Sequence, residues 1–393
     1  MASALKKINN IVLWMTEDCN LRCSYCFVEK KNKQISESVM DSLLEFISKN
    51  KEQFAEYVNI NFTGGEPLLA FEQIRYFVNK YDNMRHKLPP VMFTIITNGT
   101  LLNDNIIEYL QERQISLILS LDGLPSVMAE QRPFSDGSSS YRADLEEMLK
   151  KLTDRNISLK ARLTFTPDSL SLTSNIRHLF EIGAKEVMIL PDMEELWDDR
   201  KLPALRTALR ELALFFIEEA KKGVIHNINV FGEYLIRYIL TRSNESGMRH
   251  FPCESGTGTI SVTVDGDFYP CHHWHNQYNR TGMSYNHKNM QLGSLSSGLD
   301  NSRRVVFCDF SSSKIPECSL CSARYICGGP CYAISYLYYG DLYKTYSGQC
   351  IYMREVNTVI SYVVSSLSNE YPEIYHQLTD KYISGKSSKS CCD

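Results

Sequence analysis

The sequence lacks the features that mark several large classes of protein. Its 42 basic and 46 acidic residues give a net charge of -4, so no basic excess favours binding to nucleic acid or to an anionic membrane. No uninterrupted apolar run is long enough to span a bilayer, and residues 1–10 lack the apolar segment of a signal peptide. We therefore expect a cytoplasmic protein that binds neither nucleic acid nor a membrane.

Cysteine is absent from one long stretch of the chain and concentrated on both sides of it. Of the 13 cysteines, three lie between Cys19 and Cys26, none lies between Cys26 and Cys253, and ten lie from Cys253 onward. Disulfides are rare in the cytoplasm, so this distribution indicates ligation of metal ions or clusters. The composition is otherwise that of a globular protein, with 43% hydrophobic and 22% charged residues, which excludes a disordered or fibrous protein.

The first half of the chain alternates strand-like and helix-like segments. Such alternation predicts an α/β fold with a parallel sheet, either a partial barrel of six strand-helix units or an open sheet. The predicted strands are Asn10–Met15, Tyr57–Thr63, Met92–Thr97, Ile115–Asp122, Leu159–Thr166 and Glu186–Leu190. The predicted helices are Glu37–Asn50, Phe71–Met84, Asn103–Gln114, Arg142–Asn156, Leu172–Ile182 and Leu205–Lys222.

The alternation stops after Gly223, and the rest of the chain has a different organisation. We predict helices at Phe231–Arg242 and Met353–Leu367, and a hairpin whose turn contains Asp265 and Gly266. The predicted domains are a barrel at 1–225, a bridging segment at 226–252, a cysteine-rich domain at 253–370 and a polar tail at 371–393.

The segment CNLRCSYC, at 19–26, follows the first predicted strand. The thiolates of Cys19, Cys23 and Cys26 can bind three irons of a four-iron cluster and leave the fourth iron open to another ligand. A structural zinc site would need a fourth protein ligand, and none is obvious nearby. Buried thiols without a metal are the other interpretation.

This cysteine spacing, with Tyr25 before the third cysteine, resembles the radical S-adenosylmethionine (SAM) superfamily. The resemblance implies a partial (β/α)6 TIM-like barrel in which the open iron of a [4Fe–4S] cluster binds the amino and carboxylate groups of SAM. The matching SAM-binding positions are Gly64, Gly65, Glu66, Pro67, Asn98, Ser120, Asp122 and Arg162.

All these segments follow or end predicted parallel strands, where ligands collect in α/β folds. The glycines would let the backbone approach the ligand, and Glu66 would accept hydrogen bonds from an ammonium group. Simple turns at Gly64 and Gly65, and packing or surface roles for Ser120 and Arg162, are the alternatives.

The second group of cysteines resembles the SPASM extension of radical SAM enzymes that modify peptides. The resemblance implies two auxiliary [4Fe–4S] clusters, with a structural zinc module as the rival interpretation. The implied ligands are Cys253, Cys271 and Cys331 for the nearer cluster, and Cys318, Cys321, Cys327 and Cys350 for the distal one. Cys308 is a candidate fourth ligand of the nearer cluster, which is otherwise open. We expect Cys391 and Cys392 to be non-ligands.

His272 directly follows Cys271. In sulfatase-maturating relatives an aspartate at this position is assigned as the catalytic base, so the resemblance makes His272 a candidate proton acceptor. A hydrogen-bonded or solvated loop histidine is the alternative.

Together these features predict a radical SAM/SPASM oxidoreductase that installs a thioether or carbon–carbon crosslink in a ribosomally synthesised peptide. The alternatives are a sulfatase maturase that makes formylglycine, and a non-enzymatic iron–sulfur or zinc sensor or scaffold. We expect an electron donor such as flavodoxin or ferredoxin. The first predicted strand begins too early for a separate leader-binding domain, so we expect a leader-binding partner or direct recognition of the substrate.

Overall fold

A computed structural model of the protein describes residues 5–142, 144–193, 197–243, 251–274 and 287–387. Cys391 and Cys392 lie outside the described residues. Ten strands form one sheet: β1 (Ile8–Thr16), β2 (Phe54–Gly64), β3 (Val91–Thr97), β4 (Ser116–Ser120), β5 (Lys160–Phe165), β6 (Glu186–Pro191), β7 (Thr259–Val262), β8 (Asp267–Tyr269), β9 (Gly293–Ser294) and β10 (Gly298–Leu299).

The sheet has the order β10-β9-β8-β7-β1-β2-β3-β4-β5-β6. Strands β1 to β6 are parallel and adjacent in chain order, which is the arrangement that repeated strand-helix units produce. This is the partial TIM-like barrel predicted from the sequence, and its fold class is confirmed.

Fourteen described helices accompany the sheet. None of them is both long enough and apolar enough to cross a membrane. The helices are α1 (Glu37–Lys49), α2 (Phe71–Met84), α3 (Asp104–Glu112), α4 (Pro125–Gln131), α5 (Leu145–Asp154), α6 (Leu172–Glu181), α7 (Leu202–Lys221), α8 (Leu235–Ser243), α9 (Asn301–Cys308), α10 (Pro316–Ser319), α11 (Arg324–Cys327), α12 (Tyr332–Tyr339), α13 (Ser347–Glu370) and α14 (Pro372–Ser387).

Local sequence explains where the first helix begins and which face it buries. The Ser36 side chain accepts a hydrogen bond from the Val39 amide at 3.3 Å, which satisfies a backbone donor at the start of α1. Met40, Leu43 and Leu44 lie on one face of the helix and are buried. The same apolar spacing predicted this helix from the sequence.

Strand β7 joins the cysteine-rich region to the barrel. It pairs with β1 in parallel, from Asn10 opposite Thr259 to Leu13 opposite Val262. Strands β7 and β8 form the hairpin predicted around Asp265 and Gly266. Because β1 has β2 on one side and β7 on the other, the loop that follows β1 lies between the two parts of the protein.

Helix α13 provides a second contact between the two parts, because it packs against α7. The carboxylate of Glu355 accepts two hydrogen bonds from the Arg206 guanidinium, at 3.0 Å from Nε and 2.8 Å from Nη2. Val356, Ile360 and Val363 are buried on the same helix.

The structure also contains elements that the sequence analysis did not predict. Helix α4 follows β4, and α14 occupies much of the segment predicted as a polar tail. A π-helical turn at Val230–Tyr234 precedes α8, where one continuous helix was predicted. Helix α13 extends beyond the predicted Met353–Leu367 at both ends.

The packing of α13 yields a stability prediction. Ile360 is fully buried, so we expect Ile360→Ala to lower the free energy of unfolding by about 2–5 kcal/mol. Tyr362 on the same helix is 43% exposed, and we expect Tyr362→Ala to change the free energy of unfolding by less than about 0.5 kcal/mol. Urea unfolding measures both changes, and equal losses would contradict the assigned core face of α13.

Candidate active site

The predicted SAM-binding segments lie at the carboxyl ends of the parallel strands. The cysteine triplet follows β1, the Gly-Gly-Glu-Pro segment ends and follows β2, and Asn98 follows β3. Ser120 ends β4 and lies opposite Arg162 of β5 in the strand register. Since parallel strands end at a common edge, the fold places these segments around one site.

Gly64 and Gly65 hold the end of β2 against the start of the cysteine loop. A Cβ on Gly64 would lie 2.1 Å from the Thr16 carbonyl oxygen, and one on Gly65 would lie 2.0 Å from that of Asp18. The amides of Gly65 and Glu66 donate to these same oxygens, at 2.9 and 2.8 Å. Any side chain would force the two backbones apart. The close approach seen here is to protein backbone, whereas the sequence analysis expected an approach to the ligand.

Glu66 is a buried carboxylate that links the ends of β2 and β3. It accepts hydrogen bonds from the Thr97 hydroxyl at 2.5 Å, the Asn98 amide at 2.8 Å and the Leu68 amide at 3.0 Å. Burial raises the pKa of Glu66 to about 7, although these hydrogen bonds oppose the rise. The side chain therefore stabilises the loops around the site, and its contact with an ammonium group stays a prediction.

Asn98 connects the end of β3 to the cysteine loop. Its Nδ2 donates to Asn20 Oδ1 at 2.9 Å, and Asn20 lies within the triplet segment. The same nitrogen is 4.0 Å from Cys19 Sγ. Asn98 Oδ1 accepts hydrogen bonds from the amide and hydroxyl of Thr100, which fix the orientation of the side-chain amide.

Each thiol of the triplet lies close to a nitrogen donor. Burial raises the pKa of Cys19 to about 12, and burial also raises the pKa of Cys23. A bound metal replaces the proton of such a thiol, and nearby N–H donors stabilise the resulting thiolate. The sulfur-to-nitrogen distances are 3.4 Å for Cys19 and the Leu21 amide, 3.8 Å for Cys23 and Arg132 Nη1, and 3.1 Å for Cys26 and Lys30 Nζ.

Arg132 is a site residue that the sequence analysis missed. It follows α4, and its Nε donates to Asp122 Oδ2 at 2.8 Å. The Tyr25 hydroxyl donates to the same oxygen at 2.6 Å, and the Thr164 amide donates to Oδ1 at 2.9 Å. Both carboxylate oxygens of Asp122 thus bind protein groups. This network gives Asp122 a structural role within the site, and its predicted contact with SAM stays a prediction.

Arg162 is a half-buried cation beside this network. Burial and the nearby charge of Arg132 lower the pKa of Arg162. No hydrogen bond joins its guanidinium to another residue in the described part of the chain. A guanidinium in this position can bind a carboxylate ligand, which agrees with the predicted contact to SAM.

Three of the later cysteines, assigned from the sequence to the nearer cluster, lie close enough for their charges to interact. Burial raises the pKa of Cys271, and the adjacent thiols of Cys253 and Cys331 raise it further. Cys308, at the end of α9, is not among the groups that shift this pKa, and it lies near Arg304.

The other four cysteines form a second group. Burial raises the pKa of Cys327 to about 12, and Cys350, Cys318 and Cys321 contribute to the rise. Burial likewise raises the pKa of Cys318 to about 11, with Cys350 and Cys321 again contributing. Their assignment as ligands of the distal cluster stays a prediction.

His272 and His273 lie between the two parts of the protein. Their ring centroids are 5.6 and 4.2 Å from that of Phe27, the residue after Cys26. Burial, His273 and Arg162 together hold the pKa of His272 well below its usual range. Burial and Arg162 lower the pKa of His273 to about 4. Burial therefore favours the neutral form of both imidazoles.

The cysteine sets differ from sites for a single metal ion. Within the described ranges, no group of three or more His, Cys, Asp and Glu is arranged to hold one ion. Thiolates that share one zinc ion lie about 3.8 Å apart, given a Zn–S bond of about 2.3 Å. In a four-iron cluster each thiolate binds a different iron, so the donors are spread more widely. Three half-buried thiols on one loop, each near a nitrogen donor, suit such a cluster.

Comparison with known proteins identifies the barrel. Residues 15–169 match the Radical SAM superfamily. An uncharacterized protein of Methanocaldococcus jannaschii is 30% identical over 182 residues, which are 46% of this chain and 61% of that protein. The cysteine-type anaerobic sulfatase-maturating enzyme of Clostridium perfringens is 23% identical over 332 residues, 80% of this chain and 85% of the enzyme.

Solved structures share the fold over most of the chain. Native anSMEcpe with bound AdoMet and the Cp18Cys peptide has a TM-score of 0.72 at 17% identity, covering 95% of this chain and 99% of that one. Streptococcus suis SuiB bound to the precursor peptide SuiA has a TM-score of 0.58 at 15% identity, and the match covers 86% of this chain and 75% of SuiB. The chain therefore contains a radical SAM domain and is related to the anaerobic sulfatase-maturating enzymes.

The contact between Gly64 and Thr16 can be tested directly. We expect Gly64→Ala to lower both the iron bound after reconstitution and the midpoint of thermal unfolding, because the added Cβ must displace the Thr16 carbonyl. Gly137→Ala is the control, since Gly137 also has a positive φ, of +85°, but has no atom within 4 Å of the added Cβ. Backbone strain alone costs about 1–2 kcal/mol. Equal iron loss in the two variants would show that the close approach is unimportant.

Proposed function

We propose that the protein is a radical SAM enzyme with auxiliary iron–sulfur clusters that installs a thioether or carbon–carbon crosslink in a ribosomally synthesised peptide. One observation carries the proposal. The turn at His272–Trp274, directly after Cys271, packs against Phe27, directly after Cys26. A substrate residue at this junction would reach both the SAM site and the auxiliary site.

The residues around the triplet suit SAM and a [4Fe–4S] cluster on Cys19, Cys23 and Cys26. When both are bound and the cluster is reduced, they supply a 5′-deoxyadenosyl radical that abstracts a hydrogen atom from the substrate. Arg162 would bind the SAM carboxylate, and Ser120 would contact the ribose. The backbone from Gly64 to Pro67 would receive the amino group, and Asn98 would keep the cysteine loop in place.

A crosslink requires that the peptide lose two hydrogen atoms in total. The first leaves as a hydrogen atom, and the second leaves as a proton and an electron. The auxiliary clusters, on the two later cysteine sets, would accept the electron. His272, near the junction, would accept the proton, because the negative charge of the bound clusters would raise its pKa and oppose the lowering by burial. Cys308 or a substrate thiolate would complete the coordination of the nearer cluster.

Formylglycine formation in a sulfatase is the second candidate. The likeness to anSMEcpe favours it, because that fold covers nearly the whole of both chains. Against it, His272 occupies the position where such relatives are expected to carry an aspartate. Both reactions oxidise a peptide side chain by two electrons, so the same site would serve either.

The proposed function also involves other proteins and all three predicted domains. A flavodoxin or ferredoxin would supply electrons in a cytoplasmic setting, and a separate leader-binding protein would present the peptide. The barrel at 1–225, the bridge at 226–252 and the cluster domain at 253–370 would act as one unit, since β7 extends the barrel sheet.

The triplet gives the first test of this function. We expect the reconstituted, dithionite-reduced protein to cleave SAM to 5′-deoxyadenosine, and expect the triple variant of Cys19, Cys23 and Cys26 to Ala to produce none. Cys308→Ala is the control and should retain SAM cleavage. Unchanged 5′-deoxyadenosine formation in the triple variant would contradict the radical SAM assignment. An inactive wild-type protein that retains its iron would favour a sensor or scaffold.

The proton acceptor gives a second prediction. His272→Ala should retain its iron and its uncoupled SAM cleavage yet form no modified peptide, because the substrate radical could not lose its proton. His273→Ala shares the loop and the contact with Phe27, and it should retain product formation. Normal product yield from His272→Ala, with unchanged iron, would show that His272 is structural.

Mass spectrometry of the product separates the two reactions. Candidate substrates are a short precursor encoded beside this gene and a sulfatase peptide with a Cys/Ser-x-Pro-x-Arg motif. A crosslinked peptide should lose two hydrogen atoms and resist fragmentation between the joined residues. Formylglycine should instead react with a hydrazide probe. If an aldehyde forms on the sulfatase peptide and the precursor is unchanged, the protein makes formylglycine and the proposed crosslinking reaction is wrong.

A further inference from the structure

We propose that the buried Arg132–Asp122 pair sets the reduction potential of the cluster bound by Cys19, Cys23 and Cys26. The proposal concerns the cluster alone and does not depend on which peptide is modified. It rests on the triplet cluster of the proposed function, and it arises from a charged pair in which both carboxylate oxygens of Asp122, a predicted SAM-binding residue, accept hydrogen bonds from protein groups. Arg132 is 6% exposed and Asp122 is fully buried, so neither charge is screened by bulk water.

The pair is oriented toward the cluster. Arg132 Nη1 lies 3.8 Å from Cys23 Sγ, while Arg132 Nε donates to Asp122 Oδ2 at 2.8 Å. The guanidinium therefore lies between the thiol and the carboxylate. Its carbon also lies 5.2 Å from the centroid of the Tyr25 ring, so the positive charge faces the cysteine loop.

This orientation has a direct effect on electron uptake. Reduction adds one negative charge to the cluster, and the adjacent guanidinium stabilises that charge more strongly than the more distant carboxylate destabilises it. Charge and hydrogen bonding at the sulfur atoms are among the properties that set the potential of iron–sulfur clusters. Removing the guanidinium should therefore make the cluster harder to reduce, and removing the carboxylate charge should make it easier.

The backbone already anchors the cysteine loop without these side chains. The Arg22 amide donates to the Pro133 carbonyl at 2.8 Å, and the Ser24 amide donates to the Gln131 carbonyl at 2.9 Å. Leu21 also forms an isolated bridge with Phe134. Burying two charges costs desolvation free energy, and the backbone contacts hold this loop without them. The presence of the pair therefore supports an electrostatic role.

Lys30 provides a comparison within the same site. Its Nζ is nearer to a thiol than Arg132 is, at 3.1 Å from Cys26 Sγ, but its side chain is only half-buried. Solvent screens a half-buried charge more than a buried one. Burial rather than distance should therefore decide which cation has the larger effect on the potential.

The test is a redox titration of the reconstituted full-length protein, followed by electron paramagnetic resonance. The signal that changes when SAM is added identifies the cluster of the triplet. At a fixed applied potential, Arg132→Gln should lower the ratio of reduced to oxidised cluster by roughly tenfold. Asp122→Asn should raise this ratio. The double variant, which has no charge at either position, should lie between the two single variants, and Arg132→Lys should stay close to the wild type.

A purely structural role predicts a different pattern. The proposal would be overturned if Arg132→Gln and Asp122→Asn shifted the ratio of reduced to oxidised cluster in the same direction, or if neither variant changed it. If Arg132→Gln binds no cluster, Asp122→Asn decides alone, because a raised ratio supports the proposal and an unchanged one overturns it. Lys30→Gln should shift the ratio less than Arg132→Gln does, and an equal or larger shift would contradict the argument from burial.

Discussion

The close contact between two backbones at the carboxyl ends of β1 and β2 is the constraint on which the site depends. Gly64 and Gly65 have no side chain, so their α-carbons lie directly against the carbonyl groups of Thr16 and Asp18, which accept hydrogen bonds from the amides of Gly65 and Glu66. This contact fixes where the cysteine loop leaves the sheet. Glu66 and Asn98 then connect the loop to β3, and Arg132 and Asp122 connect it to β4. The site is thus a set of strand ends joined by short polar contacts.

The position of β1 in the sheet extends this constraint to the second half of the chain. Because β7 pairs with the free edge of β1, the hairpin that carries Cys271 ends beside the loop that carries Cys26. The packing of α13 on α7 holds the later cysteines on the same body. Two groups of cysteines more than 220 residues apart in the sequence therefore become neighbours across Phe27 and His272.

The periodic parts of the fold could be predicted from the sequence, and the non-periodic parts could not. The six parallel strands and the helices between them follow apolar periodicity and short-range capping, and helix Phe71–Met84 was predicted with the bounds it has. Helix α4 is only 7 residues long, about two turns, so it is too short to give a periodic signal before Arg132. Its partner Asp122 is ten residues away and was assigned to the ligand from the family resemblance, because its hydrogen bonds with Tyr25 and Thr164 depend on tertiary structure and leave no pattern in the sequence. The glycine pair was recognised as important, but only the structure shows that its close contact is with the Thr16 and Asp18 backbone.

The central claim is that the triplet leaves one iron of its cluster free for SAM. Mössbauer spectroscopy of protein reconstituted with 57Fe, recorded with and without SAM, tests this claim most directly. With three four-iron clusters, SAM should change the spectrum of about one iron in twelve, to values typical of iron bound by nitrogen and oxygen. Identical spectra with and without SAM, from protein that carries its full iron content, would contradict the account.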